Sequence, residues 1–147
     1  MKFAVEVIVF VSLITLSRVE ALCVNGLKAN MRSRPHTKGE VYWVAEKFTP
    51  VRKLYRKGKW IKVKDPYGYK NWIAKSLVTD NFRCAAVNVD RIDLHEGPGG
   101  KYKKHEHRPH AYFGNGFKVI QFKKKWAKLK DEDGLEFWAL RDQLWIQ

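Results

Sequence analysis

The stretch Trp60-Ile-Lys-Val-Lys-Asp-Pro-Tyr-Gly-Tyr-Lys-Asn-Trp72-Ile-Ala-Lys-Ser-Leu77 occurs a second time as Trp126-Ala-Lys-Leu-Lys-Asp-Glu-Asp-Gly-Leu-Glu-Phe-Trp138-Ala-Leu-Arg-Asp-Gln143. Trp60, Lys62, Asp65, Gly68 and Trp72 align without a gap on Trp126, Lys128, Asp131, Gly134 and Trp138, each pair 66 positions apart (126 − 60). A repeat of this kind governs the fold reading of the whole chain. Within one copy the pattern is that of a hairpin. Ile61 and Val63 alternate with Trp60, Lys62 and Lys64, the period of a half-buried strand. Asp65-Pro-Tyr-Gly68 is turn chemistry, in which Pro presets φ and Gly supplies a positive φ without steric cost. The chain then returns through Asn71-Trp72-Ile73-Ala74. Alternation places the aliphatics inward and leaves Trp60 and Trp126 on a face with lysines. Trp72 and Trp138, which share a face with Ala74 and Leu140, are expected in the core.

Working outward, the 147 residues suit one ordinary domain or two small ones, and the repeat favours two. Each would hold about 55–60 residues, near the lower limit for a self-sufficient core. Aromatic residues make up 14% of the chain and the formal net charge is +14, which predicts an acidic or polyanionic partner.

Residues 1–21 have the pattern of a secretory signal. Lys2 gives a short positive start, Val7 to Leu16 is an apolar run, and Val19 and Ala21 stand at the small-residue positions before a cleavage point. The run is too short for a spanning helix. Lys2 and Arg18 balance Glu6 and Glu20, so removing the leader leaves the +14 intact. The chain is therefore expected in the periplasm or outside the cell. It would meet a membrane only transiently during export, and nucleic acid is not an expected partner. Cys23 and Cys84 bracket the first repeat, and in an oxidising compartment they read as a disulfide. Closing that loop would stabilise by about 4 kcal/mol in the chain-entropy model. The alternatives are two free thiols or a nucleophile, but neither Cys lies in a motif with a general base.

Upstream of the repeated hairpins, Asn30-Met-Arg-Ser-Arg-Pro35 precedes Trp43-Val44 and Pro50-Val51. In the second half Asp93-Leu-His-Glu-Gly-Pro98 stands at the corresponding place and Gln143-Leu-Trp145 closes the chain. Together with Trp60, Asp65, Gly68, Trp72-Ile73 and Ser76-Leu77, this order resembles the bacterial SH3-like (SH3b) domain, most of all its tandem, exported branch, over residues 27–147. Arg34 replaces a common Gly, and Asn71 and Phe137 stand where a Gly commonly precedes the Trp. The resemblance implies an all-β chain of two small SH3-like barrels, with a signal at 1–21, a first barrel at 22–80, a linker at 81–86 and a second barrel at 87–147.

The resemblance also implies binding rather than catalysis, with cell-wall peptide as ligand, since no stretch is left for a catalytic domain. A shared fold does not by itself settle function. The expected partner is a cell-wall polymer, with peptidoglycan peptide stems favoured. The other readings are an envelope protein–protein adaptor that takes an extended peptide and an accessory subunit of a wall hydrolase. Neither cofactor nor metal is expected. Tyr42, Trp43, Tyr67 and Tyr69 cluster around the loops that, in such barrels, flank the usual peptide groove, where aromatic rings line the walls. Trp60 with Lys62, and Trp126 with Lys128, offer a ring beside a cation, suited to a sugar or a carboxylate. For any one of these rings ordinary packing is the competing explanation. His105 and His107 would share a face of a strand, where they could hold Zn or Cu, but Lys103, Lys104 and Arg108 repel a cation there. That loop, through His110, reads as a solvated basic tip.

Overall fold

In a computed structural model, residues 20–146 are described. The expected leader lies outside them except for its last two residues. The first half runs as β1 (Ala21–Val24), β2 (Lys28–Arg32), β3 (Val41–Glu46), β4 (Pro50–Lys57), β5 (Trp60–Lys64) and β6 (Lys70–Ala74), then a 3-10 turn at Lys75–Leu77 and β7 (Val78–Thr79). The second half follows as β8 (Cys84–Val87), β9 (Arg91–Asp93), β10 (His110–Tyr112), β11 (Gly116–Lys123), β12 (Trp126–Lys130) and β13 (Glu136–Leu140), then a 3-10 turn at Arg141–Gln143 and β14 (Leu144–Ile146). The fold is all-β and SH3-like. No helix among the described residues is long and apolar enough to cross a membrane.

The first sheet has the order β3-β2-β6-β5-β4-β1-β7. The second has β13-β12-β11-β8-β14, the same succession as β6-β5-β4-β1-β7, with β9 and β10 as a separate pair. One apolar cluster gathers Val24, Ala29, Met31, Val51, Ile61, Val63 and Ile73, and another gathers Val87, Ile92, Leu94, Phe117, Leu129 and Phe137. The alternation in the repeated hairpin holds: Ile61 and Val63, like Ala127 and Leu129, are buried in these clusters.

The hairpin turns show why the repeat was conspicuous. Gly68 and Gly134 adopt φ of 89° and 88°. Their amides donate to the carbonyls of Asp65 and Asp131 at 3.0 and 3.2 Å. Each Asp carboxylate also accepts the amide four residues on, Tyr69 or Leu135, at 2.9 Å. The long strands β4 and β11 each break register at one place, between Lys53 and Tyr55 and between Val119 and Gln121. Such a bulge bends a strand sharply enough to serve two edges of a barrel. The extra residues, Leu54 and Ile120, are both left exposed.

Three expectations need correction. Trp72 and Trp138 are buried but lie outside the apolar clusters. Register sets Trp72 opposite Lys62 and Trp138 opposite Lys128, whereas Ile61 faces Ile73. Trp72 is therefore on the outer face, covered by the edge of Tyr55 at 5.3 Å and by the Lys62 ammonium at 5.3 Å. The expected linker at 81–86 gives way at Cys84, because β8 is fully buried and pairs with β11 and β14. The disulfide does join Cys23 to Cys84, with Cα atoms 5.9 Å apart. It does not close the first unit on itself, however, since Cys23 is in β1 of the first sheet and Cys84 in β8 of the second. Phe48 and Phe82 pack around it, edge to face at 5.5 Å.

Candidate functional site

The Asp65 turn organises one side of the first sheet. Its carboxylate is buried and accepts three donors: the Trp43 indole N–H at 3.0 Å, the Asn71 amide nitrogen at 2.7 Å and the Tyr69 backbone N–H. Burial raises its pKa above 3.8, and the donors from Tyr69, Trp43 and the turn amides oppose that rise. The carboxylate thereby fixes the Trp43 ring, which projects from the edge strand β3, beside the turn residue Tyr67. The two rings meet edge to face at 5.2 Å.

Tyr42, Trp43, Tyr67 and Tyr69, with Lys70 and Asn71, line an open groove of about 580 Å³. Tyr42, Tyr67 and Tyr69 are all exposed. Rings and the Lys70 cation line it, and the Asp65 carboxylate that holds Trp43 is consumed by internal donors. Such a surface stacks on planar or apolar groups and attracts an anion. Tyr67 also leans on the second half of the chain, with Phe113 5.5 Å away. Gly114, at φ 83°, leaves room for the Tyr67 hydroxyl, into which a Cβ would project.

Four of the sequence-named residues thus converge and the other four do not. Trp60 is partly exposed in a different hollow. Lys62 lies over Trp72. Trp126, expected to be partly open, is 8% exposed and covered edge-on by His95 at 5.4 Å. Lys128 is paired with Glu136 at 2.8 Å, and that contact, ahead of opposing burial, holds the Glu136 carboxyl below 4.5. Lys70 and Asn71 were not named in advance. The signal for Asn71 was its departure from the small residue common at that place.

The second half does not rebuild the groove. Arg108 takes over the part that Trp43 plays in the first half: its guanidinium reaches the buried Asp131 carboxylate at 3.0 Å while lying 4.9 Å over Phe117. The place of Asn71 is taken by buried Phe137. The histidines of the loop are engaged separately: His110 bonds Asp93 at 2.9 Å, and His105 accepts the Arg108 amide at 3.2 Å. No group of three or more metal-ligating side chains occurs among the described residues.

Residues 26–80 match the bacterial SH3 domain family. The match takes in β2 to β7 and every residue of the groove. No curated protein matches the chain. Among solved structures, it resembles a NlpC/P60 family protein from Bacillus cereus at 12% identity and TM-score 0.40, covering 87% of this chain and 56% of that one. It also resembles NlpC2 from Trichomonas vaginalis at 12% identity and TM-score 0.38 (87% and 44% covered), and NlpC1 from the same organism at 10% and 0.37 (84% and 44%). The chain thus spans about half the length of these structures.

Proposed function

We propose that this protein is an exported, non-catalytic module that binds bacterial cell wall, taking a peptidoglycan peptide stem in the groove of Tyr42, Trp43, Tyr67 and Tyr69. The observation that carries the reading is that these four rings converge on one open groove within the stretch matching the bacterial SH3 domain. An extended peptide fits beside β3, which is an edge of its sheet, and its carboxylates are drawn by Lys70 and by the net charge of +14. Among the described residues no acidic side chain lines the groove, and the Asp65 carboxylate that holds Trp43 has its oxygens committed to three donors. The Cys23–Cys84 bond accords with an oxidising compartment. On this reading residues 84–146 form a second barrel of the same kind whose groove has been converted to packing.

The test is sedimentation of the purified protein with sacculi across a salt series. Wild type is expected to pellet at low salt and in part at moderate salt, and the Tyr42→Ala/Tyr69→Ala variant to remain in the supernatant at moderate salt. If wild type fails to pellet at low salt, wall binding is wrong and the envelope-adaptor reading takes its place.

A further inference from the structure

At the opposite end of the β5–β6 hairpin from the Asp65 turn, where Trp60 pairs with Ala74, a hollow of about 570 Å³ is lined by Thr37, Arg56, Lys59, Trp60, Ala74, Lys75 and Ser76. It is as large as the aromatic groove and shares no residue with it. Three of its lining residues are cationic, none is acidic, and neither Lys59 nor Lys75 makes an ion pair among the described residues. The Arg56 Nε is held by the Gly58 carbonyl at 2.8 Å, which orients the guanidinium and leaves its terminal nitrogens for another acceptor.

The second half shows what this place looks like when it is only packed. Phe122 replaces Arg56 and is covered by Arg141 at 4.1 Å. Leu140 replaces Ala74, and His95 lies edge-on to Trp126. The first half has Arg32 where the second has His95, but Arg32 turns its Nη1 to the Gly39 carbonyl at 2.8 Å, and the Trp60 ring is partly exposed. The space left beside Trp126 is about 200 Å³ and contains Asp93. One architecture therefore holds a filled, charge-balanced hollow in one half and an open, wholly cationic one in the other.

From this contrast we infer that the Trp60 hollow is a second binding site, for an anionic sugar. A pyranose carrying a carboxylate or a phosphate stacks its apolar face on the Trp60 ring, and its anion is met by Lys59, Lys75 and Arg56. Ring and cations are needed together, since stacking on an exposed indole is worth only about 0.5–1.5 kcal/mol and exposed charge pairs contribute about 0.2–1 kcal/mol each. A neutral sugar loses the second contribution and a free inorganic anion loses the first.

The experiment is an NMR titration of the six tryptophan indole N–H signals in the full chain, with the Trp60 signal assigned by its loss in Trp60→Phe. The probes are trigalacturonate, a phosphorylated maltose, neutral maltotriose and inorganic phosphate. A saturable shift of the Trp60 signal with trigalacturonate or with phosphomaltose supports the site, and which of the two binds tighter identifies the anion. Maltotriose and phosphate are expected to bind at least about tenfold more weakly, a difference of ~1.4 kcal/mol. Lys59→Gln/Lys75→Gln, at exposed positions where folding is not at stake, is expected to remove the preference for the acidic sugars. Equal binding of maltotriose, equal binding of phosphate alone, or no saturable shift at Trp60 with either acidic probe overturns the inference. Because the readout is a signal outside the aromatic groove, these results are independent of whether that groove takes wall peptide.

Discussion

Asp65 shows how one side chain can be structural and still shape a binding surface. Two of its partners, the Trp43 indole and the Asn71 amide, donate to one oxygen, while Tyr69 donates to the other. Asparagine at this position has only one acceptor oxygen, so whichever way it is turned at least one buried donor faces an NH₂ group. Asp65→Asn is therefore expected to destabilise by about 1–3 kcal/mol, read as a lower urea midpoint at unchanged m-value, with the Trp43 indole signal broadened or moved. Phe48 makes a related point about backbone. It adopts φ 67°, and the corresponding residue of the second half, Gly114, has φ 83°. The fold demands a left-handed residue here. One half meets the demand with glycine, while the other holds a phenylalanine there by burying its ring against Phe82 and the disulfide.

At the scale of the hairpin, the tip joining β4 to β5 carries Gly58 at φ 58°, and the tip joining β11 to β12 carries Lys124 at φ 53°. A left-handed lysine costs about 1–2 kcal/mol relative to its preferred backbone, part of which glycine returns as lost chain entropy. Lys124→Gly is expected to raise stability by about 0.5–1 kcal/mol, seen as a higher melting temperature, and Gly58→Ala to lower it. These elements were the legible part of the chain: the alternation of Ile61 and Val63 and the Asp-x-x-Gly turns are local, and local rules suffice to place them. Trp72 was misplaced because its side is decided by register with Ile61 and Lys62 on a neighbouring strand. Trp126 was misjudged because its cover, His95, comes from 31 positions away (126 − 95). The four rings of the groove could be named from the sequence because the resemblance to an SH3-like barrel put them around its peptide groove. The difference between the halves rests on single side chains, such as Arg108 in place of the Trp43 indole as donor, whose meaning emerges only once Asp131 is seen beside it.

Across the whole molecule, the two halves meet through Tyr67 and Phe113, through Phe48 and Phe82, and through the Cys23–Cys84 bond. The groove of the first half therefore has one wall supported by the second. Phe113 is not itself a lining residue of the groove, yet Phe113→Ala is expected to weaken groove binding about three- to tenfold through Tyr67, in line with an aromatic pair worth about 0.5–1.5 kcal/mol, measurable by calorimetry with a stem peptide. Asp65 in the first half, and Asp93 and Glu136 in the second, respond to acid in opposite senses. Asp65, with its pKa raised mainly by burial, contributes stability that is fully present below the unfolded value and lost as pH rises through its folded pKa. For Asp93, burial is outweighed by Lys104 and His110, and its carboxyl sits below 3.8. Glu136 is likewise lowered, by Lys128. The stability these two contribute is present above their unfolded values and lost as pH falls through their folded ones, and it is small because both are well exposed. Carboxyl NMR titration is expected to place Asp65 above 3.8, Asp93 below it and Glu136 below 4.5.

The bond between β1 and β8 has a consequence for how damage spreads. Residues 80–83, the short exposed bridge from one half to the other, are the natural place for a protease to cut. Severing that bridge opens the main chain but leaves the sulfur link on either side of the break. The fragments stay one particle, and Phe113 keeps its place against Tyr67 in the groove wall until a reductant arrives.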